Sequence, residues 1–376
     1  MGALTGDIET ALREDAVQLW PKQWNEIIAR FDKACFAISV DVIMQHLGLF
    51  HKANDFETLH SIREKVKLFE HAEYVFVKML DILCEEKVLK KRDGGYVCLD
   101  AYIEIENPFE ILTASAHTLP KEGYCFQWLA RAFGSMLHFI KGDLYGEEIL
   151  FPFNDIGLLE KMYYTSDVTS YYPRLAGKAI KRIVEEEYGK VTILEVGAGT
   201  GNSADNVLCQ LENPGDYINK YYFTDVSKSI VKRSKQKFDK FDFMEYGILD
   251  LGQADTSQTL AHYRADIVFG VNVLHATNDL SVSTRVLNEL VKKGGVLVLG
   301  EIAPPKNGMY RFMELTFGLL RSYYHRTDTD LRPDYPILRA QQWSEVLKRA
   351  GFSQVTVIPG EQNDDCDRGG IVIATK

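Results

Sequence analysis

The chain lacks the long apolar runs and the excess of basic residues that characterise two large classes of protein. No apolar run approaches the roughly 18 residues that a membrane-spanning helix needs, which argues against a membrane protein or a membrane partner. Acidic residues outnumber basic ones by 53 to 43, and the formal charge of −10 argues against a general nucleic-acid binder, which usually has a basic surface. No repeat or low-complexity tract is visible, so the composition indicates an ordinary globular chain long enough for two domains.

Cysteine is scarce, and its spacing does not indicate disulfides or a metal site. The six cysteines contain no C-x-x-C, and no leader of the secretory kind precedes them, so we expect reduced thiols and a cytoplasmic protein. The histidines of the first half show no metal-ligating spacing such as H-x-x-x-H. We therefore predict no metal, although ligands from distant parts of the chain remain an alternative.

The most distinctive stretch is residues 191–201, VTILEVGAGTG. An apolar run that ends in alternating glycines predicts a buried parallel strand followed by a tight turn that approaches a ligand. Gly197, Gly199 and Gly201 have the spacing Gly-x-Gly-x-Gly, whose third glycine comes one place earlier than in a dinucleotide fingerprint. Glu195 would repel phosphates and suits a cationic ligand with an amino acid end. The pattern resembles the S-adenosylmethionine (SAM) site of class I methyltransferases.

Beyond residue 150 the chain alternates strands and helices, which predicts an α/β fold with a parallel sheet over residues 151–376. The last two predicted strands would form the antiparallel hairpin typical of the Rossmann-like class I methyltransferase sheet. The predicted strands are 191–196, 220–225, 242–246, 265–271, 295–301, 353–358 and 370–374.

Residues 1–150 are predicted to form a separate, mostly helical domain. Apolar residues recur at helical spacing over 32–50 and 57–87, and Asp93-Gly94-Gly95 then gives a hairpin signal between two short apolar runs. Helices followed by such a hairpin resemble a winged-helix module. Because these helices are acidic, we favour its use as a dimerising or lid domain over DNA binding.

Further candidate SAM ligands follow the later strands. Asp225 ends the second strand, where a carboxylate can bind a ribose diol, although it could instead cap the next helix. Leu249 and Asp250 follow the third strand, where the carboxylate can accept from an adenine amino group or simply be solvated. Asn272 ends the fourth strand and can hold the amino acid end of the cofactor. Tyr172, one of four tyrosines in 162–175, could cover the sulfonium or pack between helices.

From about residue 150 to 357, the chain resembles the methyltransferase domains embedded in polyketide synthases. The stretches that carry the resemblance include ILEVGAGTGNSA, ADIVFGVNVLHATNDL and LRPDYPILRAQQW. The resemblance implies methyl transfer to an acyl chain held on the phosphopantetheine arm of an acyl carrier protein. No ketosynthase, acyltransferase or carrier sequence is present, so we expect one domain of a larger synthase with the neighbouring synthase domains as partners.

Two residues are candidates for the chemistry itself. A carbon between a ketone and a thioester must lose a proton, and histidine is the side chain suited to that task near neutral pH. His275 follows the fourth predicted strand, and Glu301 ends the fifth, so the carboxylate could hold the imidazole Nδ1–H. In the resembling family the corresponding His and Glu form the catalytic dyad.

Three functions remain open on the sequence. We favour a carbon methyltransferase that acts on the α-carbon of a carrier-bound acyl group. The alternatives are an oxygen methyltransferase that acts on a β-hydroxyl or enol, and a non-catalytic interaction module, which would be expected to lose the glycines or the histidine. Some of a group of arginines in the tail are also expected to contact the acidic carrier protein or its phosphate: Arg321, Arg326, Arg332 and Arg339.

Overall fold

The computed structural model describes residues 6–187, 189–253, 261–305, 308–333, 335–358 and 369–376. They form two compact units, and neither is one continuous segment. The described parts of Met1–Pro21, Asp167–Gly308 and His325–Lys376 form the sheet unit, and those of Lys22–Ser166 and Met309–Tyr324 form the helical unit. This division differs from the single boundary that we expected near residue 150.

The first helix explains part of that difference. Helix Gly6–Leu19 packs against helix Asp167–Glu185 of the sheet unit, and its Leu12 lies in the same apolar cluster as Leu175. Asp15 also pairs with Lys178 at 2.9 Å. The contacts that place the first helix in the sheet unit therefore lie about 160 residues away along the chain, where no local pattern reveals them.

A seven-stranded sheet forms the centre of the sheet unit, in the order β6-β5-β4-β7-β8-β10-β9. Neighbouring strands from β6 to β8 are parallel, whereas β10 is antiparallel to both β8 and β9. Each predicted strand is present, and so is the predicted terminal hairpin. The strands of the chain are β1 (Phe56–Thr58), β2 (Leu89–Arg92), β3 (Gly95–Cys98), β4 (Val191–Glu195), β5 (Ile218–Asp225), β6 (Met244–Ile248), β7 (Ala265–Val271), β8 (Val291–Glu301), β9 (Val355–Ile358) and β10 (Gly370–Thr375).

Helices cover both faces of this sheet. Side chains alternate between the faces along each strand, so Ile193 and Leu194 of β4 belong to two different apolar clusters. Because β4, β5, β7 and β8 are parallel, their carboxyl ends meet at one edge of the sheet. Open α/β sheets bind their ligands at this edge. The helices of the sheet unit whose bounds lie within the described residues are Gly6–Leu19, Asp167–Glu185, Asn202–Leu208, Pro214–Tyr217, Lys228–Lys237, Leu280–Leu290 and Ala340–Arg349.

The helical unit has an aromatic core. The ring of Phe31 lies 4.5 Å from the rings of both Phe126 and Phe312. The helix predicted over 32–50 is α-helical only to Val40 and continues as a π-helical turn, Asp41–His46. No helix in the described ranges could cross a membrane. The helices of this unit are Trp24–Val40, Leu59–Val66, Glu73–Glu85, Pro108–Thr118, Gly123–Gly134, Met136–Lys141, Gly146–Leu150, Gly157–Thr165, Arg311–Leu315 and Arg321–Tyr324.

The predicted hairpin is present in the helical unit. Strands β2 and β3 pair in antiparallel fashion across a two-residue turn, and β1 pairs with the other side of β3. The turn residues Asp93 and Gly94 have φ values of 48° and 77°. Positive φ at both positions is the requirement of a type I′ turn, which explains the strength of the Asp-Gly signal.

Candidate active site

The glycine loop begins where β4 ends. Gly197, Gly199 and Gly201 all have positive φ, at 59°, 51° and 77°. A Cβ atom on Gly197 would lie 2.2 Å from Val273 Cγ2, so this glycine is also required by close packing. Among the described residues, a Cβ atom on Gly199 would meet only Gly197 O within 4 Å, at 3.8 Å. The loop therefore leaves room beside Gly199 for a ligand to approach the backbone.

Asp225, at the end of β5, lies beside this loop and is buried. Its Oδ2 accepts from the Gly199 amide at 3.0 Å, and its Oδ1 accepts from the Ser227 amide at 2.8 Å. Each carboxylate oxygen has a second lone pair, so both can still accept from a ligand hydroxyl. Ser227, not Asp225, is the N-cap of helix Lys228–Lys237. The structure thus brings Asp225 and the glycines together, as a ribose site requires.

Leu249 and Asp250 follow β6 at the same edge of the sheet. The Leu249 amide donates to the backbone carbonyl of Asp225 at 3.3 Å, and the Leu249 side chain is buried. Asp250 Oδ1 accepts from the Gly252 amide at 2.8 Å. Within the described chain, Asp250 Oδ2 makes no hydrogen bond, so one carboxylate oxygen remains available to a donor such as an adenine amino group.

Asn272 follows β7 and has the unusual φ of 53°. This left-handed conformation is tolerated by asparagine better than by most residues. Its backbone amide donates to Gly300 O at 2.7 Å, and its Oδ1 accepts from the Ile302 amide at 3.2 Å. These bonds fix the side chain between the ends of β7 and β8. In the described chain its Nδ2 has no partner, which fits a donor to the carboxylate of an amino acid ligand.

His275 and Glu301 are brought together by β7 and β8. His275 lies in a 3₁₀ turn, Leu274–Ala276, and its Nδ1 is 2.8 Å from Glu301 Oε2. The amides of Val273 and Leu274 donate to Glu301 Oε1 at 3.1 and 2.8 Å. Because a carboxylate only accepts hydrogen bonds, Nδ1 of His275 is the donor, and Nε2 of the neutral ring keeps its lone pair.

The two side chains differ in exposure, which is relevant to their chemistry. The Glu301 side chain is 1% exposed, whereas the His275 side chain is 13% exposed. Glu301 is thus enclosed, and both of its oxygens are engaged as acceptors. His275 retains an accessible edge, and no hydrogen bond to its Nε2 is found among the described residues. The pair has the arrangement of a general base that is oriented by a carboxylate.

Two of the predicted cofactor ligands lie deeper than we expected. Glu195 is 1% exposed, and its Oε2 accepts from the hydroxyl of Tyr221 at 2.7 Å. Burial raises the pKa of Glu195 to about 8, although the hydrogen bond from Tyr221 opposes this shift. Tyr172 is also buried, and its ring meets the edge of Tyr171 at 5.0 Å. A direct contact between either side chain and a cofactor stays a prediction.

The structure removes Arg332 from the arginine group, whereas Arg321 is exposed and Arg326 and Arg339 are half-buried, so the expectation for those three stays a prediction. Arg332 was expected among the residues that could meet a carrier protein, but its side chain is 0% exposed and pairs with Asp328. Arg326 donates through Nε to the Arg332 carbonyl at 3.2 Å, and Arg339 Nη2 donates to Pro305 O at 3.4 Å. A group of arginines in a sequence normally predicts exposed side chains. The only signal in the sequence for an ion pair was the i, i+4 spacing of Asp328 and Arg332.

Comparison with known proteins shows what the chain is similar to. Residues 194–297 match a family described as a methyltransferase domain. Polyketide synthase ThaG of Burkholderia thailandensis is 35% identical over 221 residues, which are 57% of this chain and 4% of that protein. Polyketide synthase PksR of Bacillus subtilis is 29% identical over 246 residues, which are 62% of this chain and 10% of that protein. The chain therefore spans only a small part of the length of these curated relatives.

Solved structures extend the likeness to nearly the whole chain. The CurJ carbon methyltransferase is 25% identical and has a TM-score of 0.87, with 98% of this chain and 96% of that chain covered. The CMeT domain of the citrinin polyketide synthase has a TM-score of 0.85 at 19% identity, covering 98% and 94% of the two chains. The trans-methyltransferase CalH, solved as a complex with SAH, has a TM-score of 0.67 at 20% identity, covering 94% and 91%. The predicted fold class is thereby confirmed.

Proposed function

Because the chain carries a class I methyltransferase domain that uses SAM and is similar to domains of polyketide synthases, we propose that it is a carbon methyltransferase of such a synthase. Its substrate in this proposal is an acyl thioester on the phosphopantetheine arm of an acyl carrier protein, methylated at the α-carbon. The neighbouring synthase domains would be its other partners. The observation that carries the proposal is the contact between His275 and Glu301 at the sheet edge that also holds the glycine loop.

The residues at this edge fit SAM. The open side of Gly199 admits a ligand, the Asp225 carboxylate has lone pairs for ribose hydroxyls, and Asn272 Nδ2 can donate to the carboxylate of the methionine end. Asp250 Oδ2 can accept from the adenine amino group. When bound, SAM supplies an electrophilic methyl group, and its sulfur keeps the electron pair of the bond that breaks.

His275 supplies the base in this proposal. Its Nε2 takes the proton from the α-carbon, and the electron pair of that C–H bond becomes available for the new carbon–carbon bond. The imidazolium that forms is stabilised by Glu301, which already accepts the Nδ1–H and is held by two backbone amides. A general base of this kind contributes typically ~10²–10⁴-fold to a rate.

Replacing His275 tests the base directly. We expect His275→Ala to reduce methyl transfer by ~10²-fold or more, because proton removal then depends on water. The dissociation constant for SAM, measured by titration calorimetry, should stay within about twofold of the parent. His138→Ala is the matched control, since His138 is exposed and also pairs with a carboxylate, Asp143. Full activity in His275→Ala would remove this assignment.

The position of the added methyl separates carbon from oxygen transfer. The same base could deprotonate a β-hydroxyl or an enol, so the dyad alone does not choose between them. We expect a β-ketoacyl carrier protein incubated with SAM and the enzyme to gain the mass of one or more methyl groups at the α-carbon, located by fragmentation. Methylation on oxygen, with either a β-ketoacyl or a β-hydroxyacyl substrate, would support the alternative. Absence of SAM binding would instead indicate an interaction module.

A further inference from the structure

Arg332 and Asp328 form a buried ion pair, and neither residue has a role in the proposed reaction. The side chains are 0% and 3% exposed. Arg332 Nε donates to both Asp328 oxygens at 3.0 and 2.9 Å, and Nη2 donates to Oδ1 at 2.7 Å. Removing two charges from water costs free energy, so a buried ion pair is by itself weak evidence that the pair stabilises the fold. The other hydrogen bonds of the pair show which parts of the chain it holds in place.

The remaining donors of Arg332 converge on the backbone around the base. Nη1 donates to the carbonyl of His275 at 3.2 Å, and Nη2 donates to the carbonyl of Thr277 at 2.7 Å. Nη1 also donates to Pro336 O at 3.2 Å. Because the guanidinium is a rigid plane with donors on both terminal nitrogens, it can hold the carbonyl of His275 in the 3₁₀ turn and the carbonyl of Thr277 just after the turn at once.

The same segment holds the next residues of the turn. Asp328 Oδ2 accepts from the Leu280 amide at 2.9 Å, and the Thr327 amide donates to Asn278 O at 2.9 Å. The backbone from His275 to Leu280 is therefore fixed at four polar atoms by residues 327–332. Glu301 holds the ring of His275 from the other side, through Nδ1.

We propose that Arg332, held by Asp328, is a positioning residue that fixes the direction in which His275 Nε2 points. The inference rests on the proposed function, because it concerns the orientation of the proposed base. The imidazole has two anchors: Glu301 on the ring and Arg332 on the backbone carbonyl of the same residue. A base must be aligned with the proton it removes, and a displacement of about 1 Å can cost ~10²-fold in rate.

Arg332→Lys tests the geometry while it keeps the charge. A single ammonium can pair with Asp328 but cannot also reach both carbonyls in the plane of a guanidinium. We expect kcat to fall roughly 10- to 100-fold, with the KM for acyl carrier protein and the Kd for SAM within about twofold of the parent. Arg182→Lys is the matched control, since Arg182 pairs with the buried Asp15 in the same unit and does not contact the dyad.

A spectroscopic measurement is independent of turnover. In protein labelled with ¹⁵N-histidine, the Nδ1–H proton of His275 can be assigned by its absence in His275→Ala. We expect this resonance to shift or broaden in Arg332→Lys and to be unchanged in Arg182→Lys. A purely structural role would lower the thermal midpoint of Arg332→Lys but leave the resonance in place.

The outcomes separate this inference from the function it rests on. If His275→Ala is inactive while Arg332→Lys matches the parent in kcat and in the resonance, the positioning role is wrong and the base assignment stands. If His275→Ala is fully active, the base assignment fails and the positioning role fails with it, whatever the Arg332 variant does, whereas only a parent enzyme that transfers no methyl group overturns the proposed function. Should Arg332→Lys not fold, Asp328→Asn, which frees Arg332 from its charged partner, is measured in the same way. Loss of folding in both variants would assign the pair to stability and overturn the proposal.

Discussion

At the residue scale, two carboxylates at the ends of strands in one sheet have opposite surroundings. Glu301 accepts from two backbone amides and an imidazole, so its charge is met by three donors. Glu195 accepts from the hydroxyl of Tyr221 in the interior of the sheet unit, where burial raises its pKa to about 8. The first surrounding suits a carboxylate that stabilises a cation. The second keeps a carboxyl group neutral over much of the physiological range.

Glu195 should make the free energy of unfolding depend on pH. Between about 4.5 and about 8 the folded state holds a proton that the unfolded state releases, so stability decreases as pH rises through this window. The slope contributed by one such proton is at most about 1.4 kcal/mol per pH unit. Glu195→Gln, which keeps the oxygen that accepts from Tyr221, should flatten this slope. Urea unfolding at pH 5, 6, 7 and 8 measures it.

The exposed Glu212 provides the control for that experiment. Glu212→Gln should unfold with the pH dependence of the parent. If Glu195→Gln does so as well, the buried carboxyl group is not the source of the slope.

Asp225 should contribute to SAM binding. Asp225→Ala removes the acceptor for the Gly199 amide and for a ribose diol together. Because hydrogen bonds to a charged group are worth ~1.5–3 kcal/mol, we expect the Kd for SAM to rise roughly 10- to 100-fold in titration calorimetry. Asp216→Ala, at an exposed position of the same unit, should bind like the parent. An unchanged Kd in Asp225→Ala would contradict the ribose role.

At the scale of elements, the glycine loop after β4 and the turn after β7 form one packed unit. Val273 lies against Gly197 and also against Gly270, where a Cβ atom would meet Val273 Cγ1 at 2.7 Å. The amide of the same valine donates to Glu301. A disturbance of the glycine loop should therefore reach the dyad through Val273.

Gly197→Ala tests this connection between elements. The new Cβ would overlap Val273 Cγ2, so we expect both SAM affinity and methyl transfer to fall at least 10-fold. Gly94→Ala is a matched control, because Gly94 also has positive φ but nothing lies within 4 Å of its Cβ position. That variant should lose only about 1–2 kcal/mol of stability and keep its activity. Equal behaviour of the two variants would contradict the connection.

Local patterns predicted most elements of the sheet and the pair of residues at its edge. Apolar runs and glycines located the strands, and the resemblance to a known fold, in which the fourth and fifth strands are neighbours, implied that His275 and Glu301 lie together. The same reasoning failed for Arg332, whose burial depends on Asp328 and on carbonyls more than 50 residues away. It also failed for helix Gly6–Leu19, whose amphipathic pattern does not say which unit it covers.

At the scale of the whole molecule, the chain passes between its two units more than once. Residues 309–324 belong to the helical unit, whereas the segments before and after them belong to the sheet unit. Strand β10, near the end of the chain, lies between β8 and β9, next to the edge of the sheet. Completion of the sheet unit therefore requires pairing between distant segments, which favours slow folding.

SAM should stabilise the chain against heat in a concentration-dependent way. A ligand that binds only the folded state adds about 2.7 kcal/mol at 100 times its Kd. We expect scanning calorimetry to show a rising midpoint as SAM is added, with a smaller rise in Asp225→Ala. A midpoint that does not respond to SAM would favour the interaction module over the enzyme.

The placement of the first helix has a consequence for engineering by exchange of modules. A chimera whose junction lies between residues 150 and 166 would retain helix Asp167–Glu185 and the glycine strand but take helix Gly6–Leu19 from a foreign donor. Leu12 shares an apolar cluster with Leu175, and Asp15 pairs with Lys178 and Arg182, so that helix and the surface on which it packs must come from one parent. The junction of a chimera should therefore lie before Gly6, so that helix Gly6–Leu19, helix Asp167–Glu185 and all helices between them come from the same parent.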